Sequence, residues 1–181
     1  MDRIGVIHGR FQMLHHGHME YLLEGKKRCE YLLVGITNPD AGKTAYRDAN
    51  PHRSQAAENP LTYYERFQMI KGALLEAGVP REGFDIIPFP INVPEQILQY
   101  APREATYYMT LYDAWSAEKK RVLEDLGCRV SVMWERTNEE KFTSGSEVRS
   151  LIAAGKEWKS LVPDFVYRYV LEHGIDERIR R

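Results

Sequence analysis

The stretch Ile4-Gly5-Val6-Ile7-His8-Gly9-Arg10-Phe11-Gln12-Met13-Leu14-His15-His16-Gly17-His18 decides the fold. Residues 4–7 form an apolar run of the length of a buried strand, and residues 17–28 carry Met19, Leu22 and Leu23 at helical spacing. Between them the strand ends at Gly9, a short loop follows, and a helix begins near Gly17. Glycine at a strand exit lets backbone approach a ligand closely. A helix N-terminus offers unpaired N–H groups and the positive end of a dipole to a phosphate. His15 and His18 are three apart, which sets both imidazoles near one face of the first turn. With Arg10 they make an anion site with directional donors.

The same alternation continues outward. Apolar runs at 31–36, 84–89, 105–110 and 128–133 read as four further strands, the third limited at its end by Pro88 and Pro90. Helical patterns fall at 63–77, 116–126 with Gly127 behind it, 148–154 and 163–172. Near-continuous apolar strands separated by helices predict an α/β fold, a parallel five-stranded sheet with helices on both faces. Such sheets bind ligands beyond the C-terminal ends of their strands. The polar, unpatterned segment 38–60 is long for a loop in a compact domain, a length that often marks a binding loop.

The chain has 181 residues, 43% hydrophobic and 28% charged, with a formal net charge of -1. One globular domain over 1–181 is expected. The near-neutral balance argues against a nucleic-acid partner, which calls for a basic stripe. Cys29 and Cys128 stand far apart without metal-ligand spacing, so neither a disulfide framework nor a structural zinc site is expected, and no protein metal ligand is assigned. No signal peptide or membrane-spanning run is read, and a cytoplasmic location is the default.

A second constellation lies at Thr143-Ser144-Gly145-Ser146-Glu147-Val148-Arg149. Ser144 and Glu147 fit a capping box, placing a helix start at Gly145. Ser146 and Arg149 share a face near that N-terminus, and hydroxyl, backbone N–H and guanidinium together suit a second phosphate.

Gly9-Arg10-Phe11-Gln12 followed by His15-His16-Gly17-His18 resembles the nucleotidyltransferase superfamily of the HxGH type, and within it the archaeal-type nicotinamide mononucleotide (NMN) adenylyltransferases. Thr143–Arg149 resembles its second signature, with Ser146 in place of threonine, and Glu58–Arg66 and Gly155–Pro163 extend the likeness over nearly the whole chain. The resemblance implies a Rossmann-like fold, ATP with Mg²⁺, NMN as acceptor, NAD and pyrophosphate as products, and a homo-oligomer in many members. It implies Arg10, His15, His18 and Arg149 as catalytic residues on the phosphates. Gly9, Phe11, Gly17, Asp113, Thr143, Ser144 and Ser146 would line the nucleotide, and Asn38 and Asn92 the acceptor, over whose phosphate Arg47 and Arg53 of the loop 41–57 could close.

Three segments depart from the family, one of them the loop 41–57, longer than in typical members, whose Lys43, Arg47, His52 and Arg53 read singly as a solvated basic loop and together as a clamp on the acceptor phosphate. Thr110-Leu111-Tyr112-Asp113-Ala114-Trp115 is bulkier than the usual turn, with Asp113 either a ribose acceptor or a helix cap. Gln96-Ile97-Leu98 stands where a tryptophan is common, next to the stretch 90–94. These departures keep a second acceptor class open, in which AMP or CMP passes to another phosphorylated metabolite. A non-catalytic nucleotide sensor on the same fold is the rival from another class. The joint presence of Arg10, His15, His18 and Arg149 argues for the enzyme.

Overall fold

The structure is a computed structural model and describes residues 1–39 and 58–181. Arg47 and Arg53, expected at the acceptor, lie outside the described residues. Five strands, β1 Asp2–Gly9, β2 Cys29–Thr37, β3 Phe84–Phe89, β4 Thr106–Leu111 and β5 Arg129–Glu135, form one sheet in the order β3-β2-β1-β4-β5. Every pairing is parallel. The helices are α1 His16–Arg28, α2 Tyr63–Glu76, α3 Ala114–Asp125, α4 Gly145–Ala153, α5 Asp164–Glu172 and α6 Ile175–Arg180. This is the Rossmann-like α/β architecture that the alternation of apolar runs predicts.

Successive strand residues face opposite sides. Ile7 therefore joins a core with Leu22, Met69, Val148 and Val166, beneath α1, α2, α4 and α5. Val6 joins a core on the other face with Ile97, Tyr107 and Leu123, covered by α3 and the turn Pro94–Gln99. Helix α1 lies so close to β1 that a Cβ on Gly25 would sit 2.2 Å from Ile7 Cδ1.

Chain order reverses between β1 and β4, the switch point where such sheets bind ligands. Pairing there is limited to Gly5 with Thr106 and Val6 with Tyr107, while β1 stays paired to β2 through Gly9. Beyond Val6 and Tyr107 the two strands part, and a cavity opens between them.

Buried Arg66 on α2 fixes the loops around that opening. Its guanidinium donates to the carbonyls of Arg10, Thr37 and Asn38 at 3.0, 2.7 and 2.9 Å. Gln12 adds a two-way amide pair with Leu61, both bonds 2.9 Å, tying the loop after β1 to the start of α2.

Some local readings differ from the structure. Strand β5 is displaced toward its C-terminus relative to 128–133, because its ladder with β4 runs on to Glu135 past an irregularity at Met109/Thr110. Helix α6 has few apolar residues to announce it. Its Arg178 pairs with Glu65 at 2.8 Å, and Ile175 and Asp176 are buried. Ile97 is fully buried, so the turn at Pro94–Gln99 seals the second core. The capping box at Ser144 is half formed. Ser144 accepts from the Glu147 N–H at 3.1 Å, but the Glu147 carboxylate takes the Thr143 hydroxyl at 2.8 Å instead of the cap backbone.

Candidate active site

The cavity at the switch point has a volume of about 300 Å³. Three helix N-termini line it: α1 at Gly17 and His18, α3 at Asp113 and Ser116, and α4 at Ser144 and Gly145. Each presents N–H groups and a positive dipole end. Four cationic side chains, Arg10, Lys119, Arg136 and Lys141, line it against two carboxylates, Glu20 and Asp113. Of these carboxylates, Glu20 is bound to Arg136 by two hydrogen bonds of 2.8 and 3.0 Å, and Asp113 accepts the Ser116 N–H as a cap at 2.8 Å. The site is thus net positive and built for polyanions.

His15 is the N-cap of α1, and its Nδ1 accepts the His18 N–H at 3.3 Å. An imidazole that accepts at Nδ1 and is neutral carries its proton on Nε2. Burial, helped by the neighbouring His16 and Lys141, holds the His15 pKa down at about 4. His18 stacks on His15 with ring centroids 3.7 Å apart, and burial first, then His15 and Arg10, keeps it well below the ordinary histidine range. Both imidazoles are therefore neutral at pH 7. Neutral, they can offer N–H donors but no charge, while Arg10, Lys119 and Lys141 bring charge to the lining.

Asp113 caps α3 and also lines the cavity. Tyr112 lies under the Lys141 ammonium, 4.3 Å from nitrogen to ring centroid. Trp115 lines the cavity, while Trp134 lies under Arg136 at 4.2 Å and does not line it.

On the far wall, at the ends of β2 and β3, stand Thr37, Asn38, Ile91 and Asn92. Asn92 donates its amide to Asn38 Oδ1 at 3.1 Å. Among the described residues this wall offers polar amides and no phenyl, phenol or indole ring for a ligand to stack on.

Arg10, His15, His18, Gly9, Gly17, Asp113, Thr143, Ser144, Asn38 and Asn92 thus come together around one cavity. Phe11, Ser146 and Arg149 do not line it. Phe11, at φ 52°, is buried with its ring edge-on to His18 at 5.0 Å, a support beneath the histidines. Arg149 turns inward, donating to the Gln12 carbonyl, to Ser146 Oγ at 3.1 Å and to the Glu58 carboxylate. Through these bonds Arg149 tethers the second signature to the first, while Thr143, Ser144 and Gly145 of the same constellation line the cavity. A Cβ at Gly145 would lie 2.5 Å from the Gln12 carbonyl oxygen, so glycine is what permits this contact.

His8 is a cavity residue that the sequence reading passed over. It follows the apolar run 4–7 directly and lies inside β1, which extends to Gly9. The available signal was a histidine on the core-facing side of β1, one residue before the strand-exit glycine.

A switch-point cavity with converging helix N-termini, paired neutral histidines and a surplus of cations belongs to a nucleotidyltransferase. The family comparisons agree. Residues 6–151 match the cytidylyltransferase-like family, and the chain belongs to it. It is 52% identical over 176 residues to the phosphonoformate cytidylyltransferase of Streptomyces viridochromogenes, covering 97% of this chain and 95% of that one. It is 28% identical to the nicotinamide-nucleotide adenylyltransferase of Saccharolobus solfataricus, again over 97% of this chain, and 94% of that one. Among solved structures, a bifunctional NMN adenylyltransferase/ADP ribose pyrophosphatase from Francisella tularensis superposes with a TM-score of 0.71 at 16% identity, over 99% of this chain and 52% of that one. That last likeness concerns the fold. Among the described residues no helix is long and apolar enough to cross a membrane.

Proposed function

We propose that the protein transfers a cytidylyl group from CTP to a phosphonate oxygen of phosphonoformate or a close carboxy-phosphonate analogue, releasing pyrophosphate. The observation that carries this acceptor is the 52% identity, over 97% of the chain, to a phosphonoformate cytidylyltransferase. One feature of the cavity supports it: the amides of Asn38 and Asn92, with Thr37, give a compact acid hydrogen-bonding partners at the ends of β2 and β3.

In this reading the acceptor oxygen is already anionic and needs no protein nucleophile. It attacks the α-phosphorus of CTP, a new P–O bond forms, and the bond from that phosphorus to the α,β-bridging oxygen breaks. Its electron pair leaves with pyrophosphate. The chain's contribution is positioning and charge stabilisation. Nε2–H of His15, the His18 imidazole, Arg10 and the N–H groups of α1 face the triphosphate. The first turns of α3 and α4 face the nucleoside. Mg²⁺ is expected to accompany the triphosphate. The phosphate oxygens of the triphosphate would supply ligands to it.

NMN adenylyl transfer is the second reading, favoured by the 28% likeness along 97% of the chain to an archaeal enzyme of that name and by the order of the signatures. One experiment separates the two readings and the sensor. The full chain, Mg²⁺ and each NTP are incubated with phosphonoformate, NMN and other phosphorylated metabolites, and pyrophosphate release is measured. The proposal expects the highest kcat/KM with CTP and phosphonoformate. Release with ATP and NMN alone overturns it, and no release with any pair leaves the sensor.

A further inference from the structure

We propose that His8 selects the acceptor, donating an imidazole N–H to the carboxylate that the acceptor carries beside its phosphonate. The inference rests on the carboxy-phosphonate reading above and assigns its specificity to one residue.

Strand alternation puts His8 on the same face of β1 as Val6, which is fully buried in the second core. A third apolar residue would extend that core. A histidine stands there instead, 6% exposed, its ring stacked on Phe89 with centroids 4.7 Å apart and planes within 10°. Its Nδ1 is sealed from solvent and has no hydrogen-bond partner among the described residues. An unpaired buried polar atom costs about 1–3 kcal/mol, and phenylalanine would keep the stacking without that cost.

The place of the residue explains why the cost is borne. His8 lines the cavity where β1 and β4 part, close to the far wall of Asn38 and Asn92. It is neutral at pH 7, because burial and the nearby Lys119 ammonium hold its pKa at about 3. With Nδ1 sealed, the neutral imidazole meets the cavity through Nε2, whose N–H is the donor, and the charge that disfavours a second proton favours an anion beside it. His8 and Lys119 thus define a spot where a carboxylate is stabilised by a short-range donor and a cation together. The phosphonate of a one-carbon acid would then lie toward His15 and His18, where the α-phosphate arrives.

The test uses the full chain with Mg²⁺ and CTP, comparing kcat/KM for phosphonoformate with that for methylphosphonate, which lacks the carboxylate. His8→Phe keeps a ring on Phe89 and removes the donor. It is expected to shrink the preference for phosphonoformate by about 10- to 100-fold, the scale of a hydrogen bond to a charged group, and to do so mainly through KM. His8→Gln, whose amide N–H reaches toward the Nε2 position, is expected to recover part of it. If His8→Phe melts too low to assay, the ratio is read on His8→Leu. A ratio unchanged from wild type, or no better in His8→Gln than in the apolar variant, overturns the role of His8 while phosphonoformate turnover by wild type upholds the parent reading. A wild-type enzyme that accepts neither phosphonate with CTP overturns both.

Discussion

His15 Nδ1 accepts the backbone N–H of His18, three residues on, at 3.3 Å. One imidazole therefore starts α1 and lines the cavity. The two functions separate by mutation. His15→Asn keeps a good cap and loses Nε2–H, so it should hold stability within about 1 kcal/mol of wild type. It should still lower kcat by roughly 10²-fold, as for a lost charge-stabilising donor. His15→Ala should lose both. Urea denaturation beside steady-state kinetics checks this. Normal turnover by a folded His15→Asn removes His15 from the chemistry.

The buried histidines set a pH dependence of stability. The folded pKa values of His8 and His15, about 3 and about 4, lie below the ordinary 6.5. Between those values the unfolded chain binds more protons than the folded one, so stability rises with pH. It is complete above about pH 6.5 and lost as pH falls toward 4 and below. Acidification through the whole range is expected to remove about 3 kcal/mol at His15 and about 5 kcal/mol at His8, from ~1.4 kcal/mol per unit of pKa difference. Urea midpoints at pH 7.5, 6 and 5 should fall steadily, and His15→Asn should flatten the slope by about one proton. Midpoints that do not move between pH 7.5 and 5 contradict the neutral, buried state.

Arg66 is expected to act on both stability and catalysis. Its guanidinium holds the carbonyls of Arg10, Thr37 and Asn38, and burial brings its pKa down to about 10, still protonated at pH 7. A lysine is a point donor and cannot span the three oxygens. Arg66→Lys should cost about 2–4 kcal/mol in urea unfolding. It should also raise the acceptor KM, because Asn38 lines the cavity. Wild-type stability in Arg66→Lys would show that the carbonyls do not depend on the fork.

Arg149 follows similar logic at the tether between the two signatures. Arg149→Lys can keep an ion pair with Glu58 but not the simultaneous bond to the Gln12 carbonyl. A loss of about 1–3 kcal/mol is expected, together with lower activity as the α4 N-terminus drifts from the histidine loop. Lower activity at wild-type stability would instead return Arg149 to the phosphates.

Much of this was legible in the sequence because it depends on local patterns. All five strands were found, since strands covered on both faces must be apolar throughout. The histidine loop and the Ser144 helix start were found because caps and glycines sit at fixed offsets. What escaped depends on contacts distant in the chain. Arg149 shares a face with Ser146, but only the fold brings Gln12, 137 residues away, within reach of its guanidinium. Arg66 was visible as a family-like position, yet its three carbonyl partners come from two other loops. His8 was hidden by its apolar neighbours, and Asn38 and Asn92 meet only because β2 and β3 pair.

The most direct test of the account is product identity. The full chain is incubated with Mg²⁺, CTP and phosphonoformate, in parallel with Mg²⁺, ATP and NMN, and both mixtures are followed by ³¹P NMR. The account predicts pyrophosphate and a mixed phosphate–phosphonate anhydride in the first tube, its two phosphorus signals mutually coupled, with kcat/KM above that of NAD formation in the second. NAD formation in the second tube with no coupled anhydride in the first would contradict the assignment of donor and acceptor.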